Sequence, residues 1–484
     1  MQYRGKIVGA AKALLFVLAF LLVFNGVNDT LRLKTYAAYS YPFYQEEQGS
    51  IDVVLAGSSH MLNGVLPMQL WQEQGIASYN IAQNAQSMPV TYYAVKDAID
   101  RQHPKLVVVD TYHILFDTLY NEGSLRLLHD TFDNMPTSLT KLLGIHATIE
   151  GAKEEEFYLP IELYHGRWKE LKKIDFTPVE NYTKGAHLNY GVTEYGDFPI
   201  LAEDDTTEIP AVQLTYLNKL IDLCEGTGTP LLLINLPHYA TGENERFQRL
   251  ANAVAAVAEA KGVPYLNFFH MLDEVPIDFT TDMKDEGHMN PAGAAKVTAY
   301  LGQYIMAQYD IADRRDDPAW ASWKDAYDRY VSYDASEHLR YTTDLSDYLD
   351  LLAKGDFTVA LAVKSTPGEC MTPALAAKLQ ALGVTWDLTD QTVMNYLTLL
   401  QGGQAVVEKG TRDPDEELSA TAMADGTQFQ LTSAMFRAGI SVAGRAYSRN
   451  GTSLNFVVWD NLRHEVVDSV RFNAHDPSYY CERR

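Results

Sequence analysis

Two short stretches hold the residue types of acyl chemistry. In "VVLAGSSHMLNG" (residues 53–64) an apolar run ends in Gly57, Ser58, Ser59 and His60, and in "DMKDEGHMNP" (residues 282–291) Asp285 and His288 stand three apart. An unassisted serine hydroxyl is a poor nucleophile at neutral pH; it needs a base to take its proton and a third group to hold that base. Ser59 is the candidate nucleophile, His288 the base, and Asp285 the group that fixes the imidazole tautomer and stabilises its protonated form. Each stretch also has a plain reading. Gly-Ser-Ser after a strand is an ordinary turn, and Asp and His are ordinary loop residues. His60, His113 and His165 read as packed or exposed side chains, and without HExxH or a comparable cluster no metal site is expected.

These residues need elements to position them. Short apolar runs at 51–57, 77–82, 105–110, 230–236 and 263–268 read as buried strands, with helices at 89–101, 243–260 and 291–309. Strands of this kind with helical crossovers predict a three-layer α/β fold with a parallel sheet. Asn290 and Pro291 suit the N-cap and first position of the last helix, which places the Asp-x-x-His loop at its entrance.

Between about 117 and 208 the alternation stops and Tyr, Glu and Lys become frequent. Within "FYLPIELYHGRWKELKKIDF" the spacing of Leu163, Trp168 and Leu171 predicts an amphipathic helix in an insertion, a cap or lid beside the site. Arg167 and Trp168 suit contact with a sugar, though core and surface roles serve them as well. Residues 311–348, rich in Asp, Arg and Tyr, read as a helical connector. Beyond 349, runs such as "FTVALAV" and "LNFVVWD" between Gly and Asn turns predict a β-rich α+β module to residue 484.

The chain's 484 residues call for two or three domains. At 46% hydrophobic and 21% charged it has a globular composition, and a formal net charge of -24 argues against nucleic acid as a partner. Cys224, Cys370 and Cys481 lack metal or framework spacing; a single Cys370–Cys481 bridge stays open. Residues 1–30 place Arg4, Lys6 and Lys12 before an uninterrupted apolar run from Ala13 to Phe24. This reads as a membrane anchor with its basic flank in the cytoplasm, which puts the body, from 31 onward, on the extracytoplasmic side of the cell membrane. A cleaved signal peptide is the competing reading.

The order strand-Gly-Ser-Ser, "YNIAQNAQS", strand-Asp-Thr-Tyr-His and Asp-x-x-His before the last helix resembles the SGNH/GDSL hydrolase superfamily over about 51–309. It is similar in particular to the membrane-anchored branch that includes the D-alanine transfer protein of teichoic-acid assembly and the alginate acetylation proteins. The resemblance implies a flavodoxin-like domain over 31–310 with Ser59 as nucleophile, Asp285 and His288 as its partners, and Ala85 where the family has an oxyanion-binding glycine. The third block's asparagine is missing from Thr111-Tyr112-His113-Ile114; Asn84, Tyr112 or His113 stands nearest to replace it. The implied function is O-acyl transfer, of acetyl above all, to a cell-surface polysaccharide or teichoic-acid-like polymer, with a membrane-bound O-acyltransferase as donor partner and no cofactor. A carbohydrate esterase with the same triad and a non-catalytic glycan-binding surface protein are the alternatives. The C-terminal stretch is similar to the ILEI/PANDER-like domain, which implies a carbohydrate-binding or a purely structural stem.

Overall fold

The computed structural model describes residues 2–32, 41–120, 122–149, 153–172, 175–176 and 181–483. The chain divides into two compact units, Met1–Lys324 and Asp325–Arg484. In the first, strands β1 (Val53–Ala56), β2 (Ser78–Asn80), β3 (Leu106–Asp110), β4 (Leu231–Asn235) and β5 (Tyr265–Asn267) form one sheet in the order β2-β1-β3-β4-β5. Every pairing is parallel, with Val54 opposite both Tyr79 and Val107.

β1, β3 and β4 are apolar along nearly their whole length because both faces are covered, with polar residues only at the carboxyl ends Asp110 and Asn235. Val53, Leu55, Leu106, Val108, Leu232 and Ile234 belong to one buried cluster with helical residues Leu62, Val297 and Leu301. The residues between them, Val54, Val107, Val109 and Leu233, are wholly buried on the opposite face. The main helices of this unit are α1 (Gln2–Leu31), α2 (Ser59–Gly64), α3 (Pro67–Gln74), α4 (Met88–Gln102), α5 (Leu139–Thr148), α6 (Ala211–Thr227), α7 (Glu245–Lys261) and α8 (Pro291–Gln308). α8 packs against α2 and α3, while α4 packs along α6. Asn290 caps α8 by accepting from the backbone N–H groups of Ala292 and Gly293, with Pro291 at the first helical position.

Within α1, the 24 residues Val8–Leu31 are long and apolar enough to cross a bilayer, and their most apolar stretch is unburied, while Leu31 at the end is buried. The Arg4 and Lys6 side chains lie outside the described residues. The single amphipathic helix expected around Leu163 and Trp168 is not formed. Short helical pieces at Glu154–Tyr158 and Ile161–Tyr164 and a 3-10 turn at His165–Lys169 take its place. Pro160, which lacks an N–H, and Gly166 interrupt the ladder, and the Leu163 and Trp168 side chains remain exposed.

The second unit is β-rich. A six-stranded antiparallel sheet has at its centre the strands Phe357–Lys364 and Ser453–Asp460, and a four-stranded one is built around Thr427–Ala434. Along Phe357–Lys364 side chains alternate: Val359, Leu361 and Val363 join the core beneath the helices Leu345–Lys354 and Pro373–Ala381, and Ala360 and Ala362 face the smaller sheet. All three cysteines are free thiols, so the open Cys370–Cys481 bridge is not made.

Candidate active site

The carboxyl ends of the parallel strands gather the chemistry. β1 ends at Gly57, whose φ of +143° and surroundings exclude a side chain: a Cβ there would lie 3.0 Å from Asp110 Cβ and 3.1 Å from Asp110 O at the end of β3. The chain passes over β3 and enters α2 at once. Ser58 is buried and is the turn former; its side chain caps α2 by accepting from the His60 N–H. Ser59, one position on, turns its hydroxyl toward His288.

Ser59 Oγ and His288 Nε2 are 2.8 Å apart, and His288 Nδ1 and Asp285 Oδ1 are 2.7 Å apart. The carboxylate only accepts, so Nδ1 carries the proton and the Nε2 lone pair faces the serine hydroxyl. Asp285 Oδ1 also accepts from the backbone N–H groups of Gly287 (3.1 Å) and His288 (3.0 Å), while Oδ2 takes the Lys284 ammonium at 2.7 Å. Partial burial works to raise the Asp285 carboxyl, but the hydrogen bonds from His288 and Lys284 outweigh it and hold the group well below the usual carboxylate range.

This loop is a closed hairpin. Met283 and Met289 form an antiparallel bridge, and Lys284 N–H donates to His288 O at 2.9 Å. Two other segments clamp it: Tyr239 N–H, beyond β4, donates to Glu286 O at 2.9 Å, and Thr193 donates through Oγ1 to Lys284 O at 2.7 Å and through its N–H to Met283 O at 2.8 Å. On the serine side, Asn63 Nδ2 donates to Ser59 O at 2.7 Å, and Asn63 Oδ1 meets His187 Nδ1 at 3.0 Å. Lys284, Thr193, Asn63 and His187 were not singled out from sequence. Of these, only Lys284 carried a local signal, its adjacency to Asp285.

Behind the relay lies an aromatic wall. Tyr112 is sandwiched between His60, ring centroids 3.3 Å apart, and Phe247 at 4.6 Å. His238 meets His60 edge-on at 5.0 Å, and His60 lies 5.3 Å from His288. Burial drives these imidazoles toward neutrality: His60 falls well below its ordinary value, His238 to about 4 and His113 to about 3. His238 Nδ1 donates to Leu236 O at 3.1 Å, which makes Nε2 its lone-pair nitrogen.

Of the candidate oxyanion donors, Ala85 sits in the β2–α4 turn with φ +54°, the left-handed region that favours glycine. Its neighbour Asn84 is half-buried in that turn. Tyr112 is held by its stacking, and His113 is half-buried, with an Nδ1 that has no hydrogen-bond partner among the described residues. Arg167 is engaged elsewhere: its guanidinium donates to the backbone oxygens of Leu31 and Arg32 and pairs with Asp175 at 2.9 Å, while Trp168 is exposed.

Asp110, at the end of β3, supplies a measurable pH signature. Burial pushes its carboxyl up to about 7, against the pull of hydrogen bonds from the Leu236 and Tyr112 backbone and from Ser58. Between about pH 4 and 7 the unfolded chain releases a proton that the folded one keeps, so stability falls as pH rises, by roughly 4 kcal/mol across the window. Asp110→Asn keeps the acceptor for Leu236 and removes the titration. Thermal unfolding at pH 4.5 and 7.5 is expected to show a smaller loss on raising pH in the variant than in wild type; equal losses in both would refute the assignment.

No protein-family model and no curated protein matches the chain. Among solved structures, a protein assigned as an acylhydrolase from Bacteroides fragilis is similar at 12% identity, over 57% of this chain and 97% of its own, with a TM-score of 0.29. A GDSL-like lipase from Bacteroides thetaiotaomicron is similar at 12% identity, over 56% of this chain and 94% of its own, with a TM-score of 0.27.

Proposed function

We propose that the protein is a membrane-anchored serine enzyme of the SGNH type that passes an acyl group, acetyl above all, from an ester donor to hydroxyls of a cell-surface polysaccharide or teichoic-acid-like polymer. The observation that carries the acyl chemistry is the continuous chain Ser59–His288–Asp285, with links of 2.8 and 2.7 Å. Ser59 Oγ attacks the donor carbonyl as its proton moves to His288 Nε2. The backbone N–H groups of Ser59 and Ala85 are the proposed holders of the oxyanion. Collapse expels the donor alkoxide, which takes the proton from Nε2 and leaves acyl-Ser59. An acceptor hydroxyl then repeats the steps in reverse, giving its proton to Nε2 and taking the acyl group.

The polymer acceptor, the membrane-bound O-acyltransferase donor and the extracytoplasmic location follow from the resemblance of the sequence motifs and from the apolar α1. A glycan-binding role for the C-terminal unit belongs to the same reading. One observation favours hydrolysis as the second reading: the His288 and Asp285 side chains are 27% and 39% exposed, so water has access to the relay.

The test has two stages. A fluorophosphonate probe is expected to label the full-length protein at Ser59, detected by peptide mass spectrometry; folded protein without label would refute serine chemistry and leave glycan binding. With an aryl acetate donor and a polysaccharide acceptor, transfer yields acetyl-glycan. Free acetate alone would overturn transfer in favour of the esterase.

A further inference from the structure

The helix α5 shows its apolar side to the outside. In "LTKLLGIHAT" the buried face holds Thr140, Lys141, Gly144, Ile145 and Thr148, while Leu139, Leu142 and Leu143 are 72%, 41% and 48% exposed. These three stand at i, i+3 and i+4, a continuous leucine stripe where a water-facing helix carries charged residues. The turns that follow extend it with exposed Tyr158, Leu159, Leu163 and Trp168. Scattered exposed apolar residues are ordinary, but a stripe of this kind on neighbouring pieces marks an interaction surface.

Its place beside α1 identifies the occupant. The pieces Ile161–Tyr164 and His165–Lys169 pack on α1, and Arg167 caps the α1 C-terminus through the Leu31 and Arg32 carbonyls. Between α1 and this segment lies a cavity of about 550 Å³. Its wall along α1 runs from Leu21 and Phe24 to Asn28 and Arg32, and it is closed from the other side by residues that include Leu142 and Tyr158. Leu21 and Leu31 are separated by about 15 Å along a helix rising roughly 1.5 Å per residue. A segment that shares a cavity with α1 as far back as Leu21 therefore faces the apolar part of that helix. The wall changes from apolar to polar toward the helix end, as a leaflet does from acyl chain to headgroup.

We infer that α5 and the turns up to Trp168 are seated in the leaflet on the C-terminal side of α1, with phospholipid covering the leucine stripe and entering the cavity. This rests on the reading of α1 as a membrane anchor. The chain then holds the membrane by one spanning helix and one interfacial helix, with Tyr158 and Trp168 suited to the headgroup boundary. The arrangement limits rotation of the domain about its anchor and keeps it close to lipid-borne acyl donors.

Collision measurements on the full-length protein in phosphatidylcholine–phosphatidylglycerol nanodiscs test this. Nitroxides are placed at Leu142→Cys or Leu139→Cys with Cys370 and Cys481 changed to serine, and reference labels at Leu18→Cys in α1 and at the exposed Glu259→Cys of α7. The expected result is that oxygen collides several-fold more often than a water-soluble nickel chelate at Leu139, Leu142 and Leu18, with the reverse at Glu259. Nickel access at Leu142 equal to that at Glu259, with Leu18 protected, overturns the interfacial seat and leaves the anchor standing. Nickel access at Leu18 as well overturns both. A Leu142 label shielded from oxygen and nickel alike means a covering protein, a second copy of this chain included, and also overturns the proposal.

Discussion

Replacing Ser59 by Ala is expected to lower kcat for ester turnover by roughly 10⁵-fold or more, with folding left intact. The separation of effects comes from the division of labour between adjacent serines. Ser58 caps α2, whereas the Ser59 hydroxyl is joined to His288 Nε2. Loss of that single half-buried hydrogen bond changes stability by about 1 kcal/mol. His288→Ala is expected to be as damaging, and the double variant no worse than either single one, because the two groups act as one unit. Steady-state rates of the three variants, with thermal unfolding as control, check this. Additive losses in the double variant would show that serine and imidazole act independently.

Asp285→Asn is expected to cost about 10²- to 10³-fold in kcat, short of the roughly 10⁴-fold loss that follows when an asparagine inverts the histidine tautomer of a triad. The reason is local. Oδ1 of Asp285 already accepts from the Gly287 and His288 backbone N–H groups, so an asparagine keeps its carbonyl oxygen there and continues to accept from His288 Nδ1. Its amide nitrogen then turns toward Lys284, the partner of Oδ2. The tautomer is retained, and what disappears is the negative charge that stabilises the imidazolium in the transition state. Nitrogen-15 chemical shifts of His288 report the tautomer directly. A protonated Nε2 in the variant, or a loss as large as that of His288→Ala, would contradict this account.

The depressed Asp285 carboxyl bears on pH. A group whose folded value lies below its unfolded one contributes stability above the unfolded value, near pH 4, and loses it as pH falls through the folded one. The carboxylate therefore persists under mildly acidic conditions, and Asp110, titrating near 7, acts with the opposite sign.

β1, β3 and β4 are legible because each is an apolar run bounded by turn residues, while β2 and β5 show only short mixed runs, Ser-Tyr-Asn and Tyr-Leu-Asn; the observed bounds shrink only at ends where ladder pairing stops. The start of α8 is legible because Asn290 and Pro291 act locally. The stretch from 117 to 208 is not, since its pieces are too short to show a period and are held by distant partners. Thr193 serves the Asp285–His288 loop from 91 positions away. The Tyr112 sandwich joins rings from three separate segments, and nothing near Tyr112 in the chain announces His60 or Phe247. Likewise α5 buries Thr140, Lys141 and Thr148 beside Ile145 and exposes its leucines, the reverse of what an apolar periodicity would predict, so only packing decides that Leu142 turns outward.

From sequence alone came the kinds of chemistry available, the order of strands and helices, and an apolar helix long enough to span a bilayer, because these depend on residue type and near-neighbour spacing. That a hydroxyl and a ring separated by 229 positions meet at 2.8 Å was decided by the tertiary structure. Ser58 and Ser59 are chemically identical. The structure gives them separate tasks just beyond a glycine pressed against Asp110: Ser58 caps α2 and Ser59 meets His288.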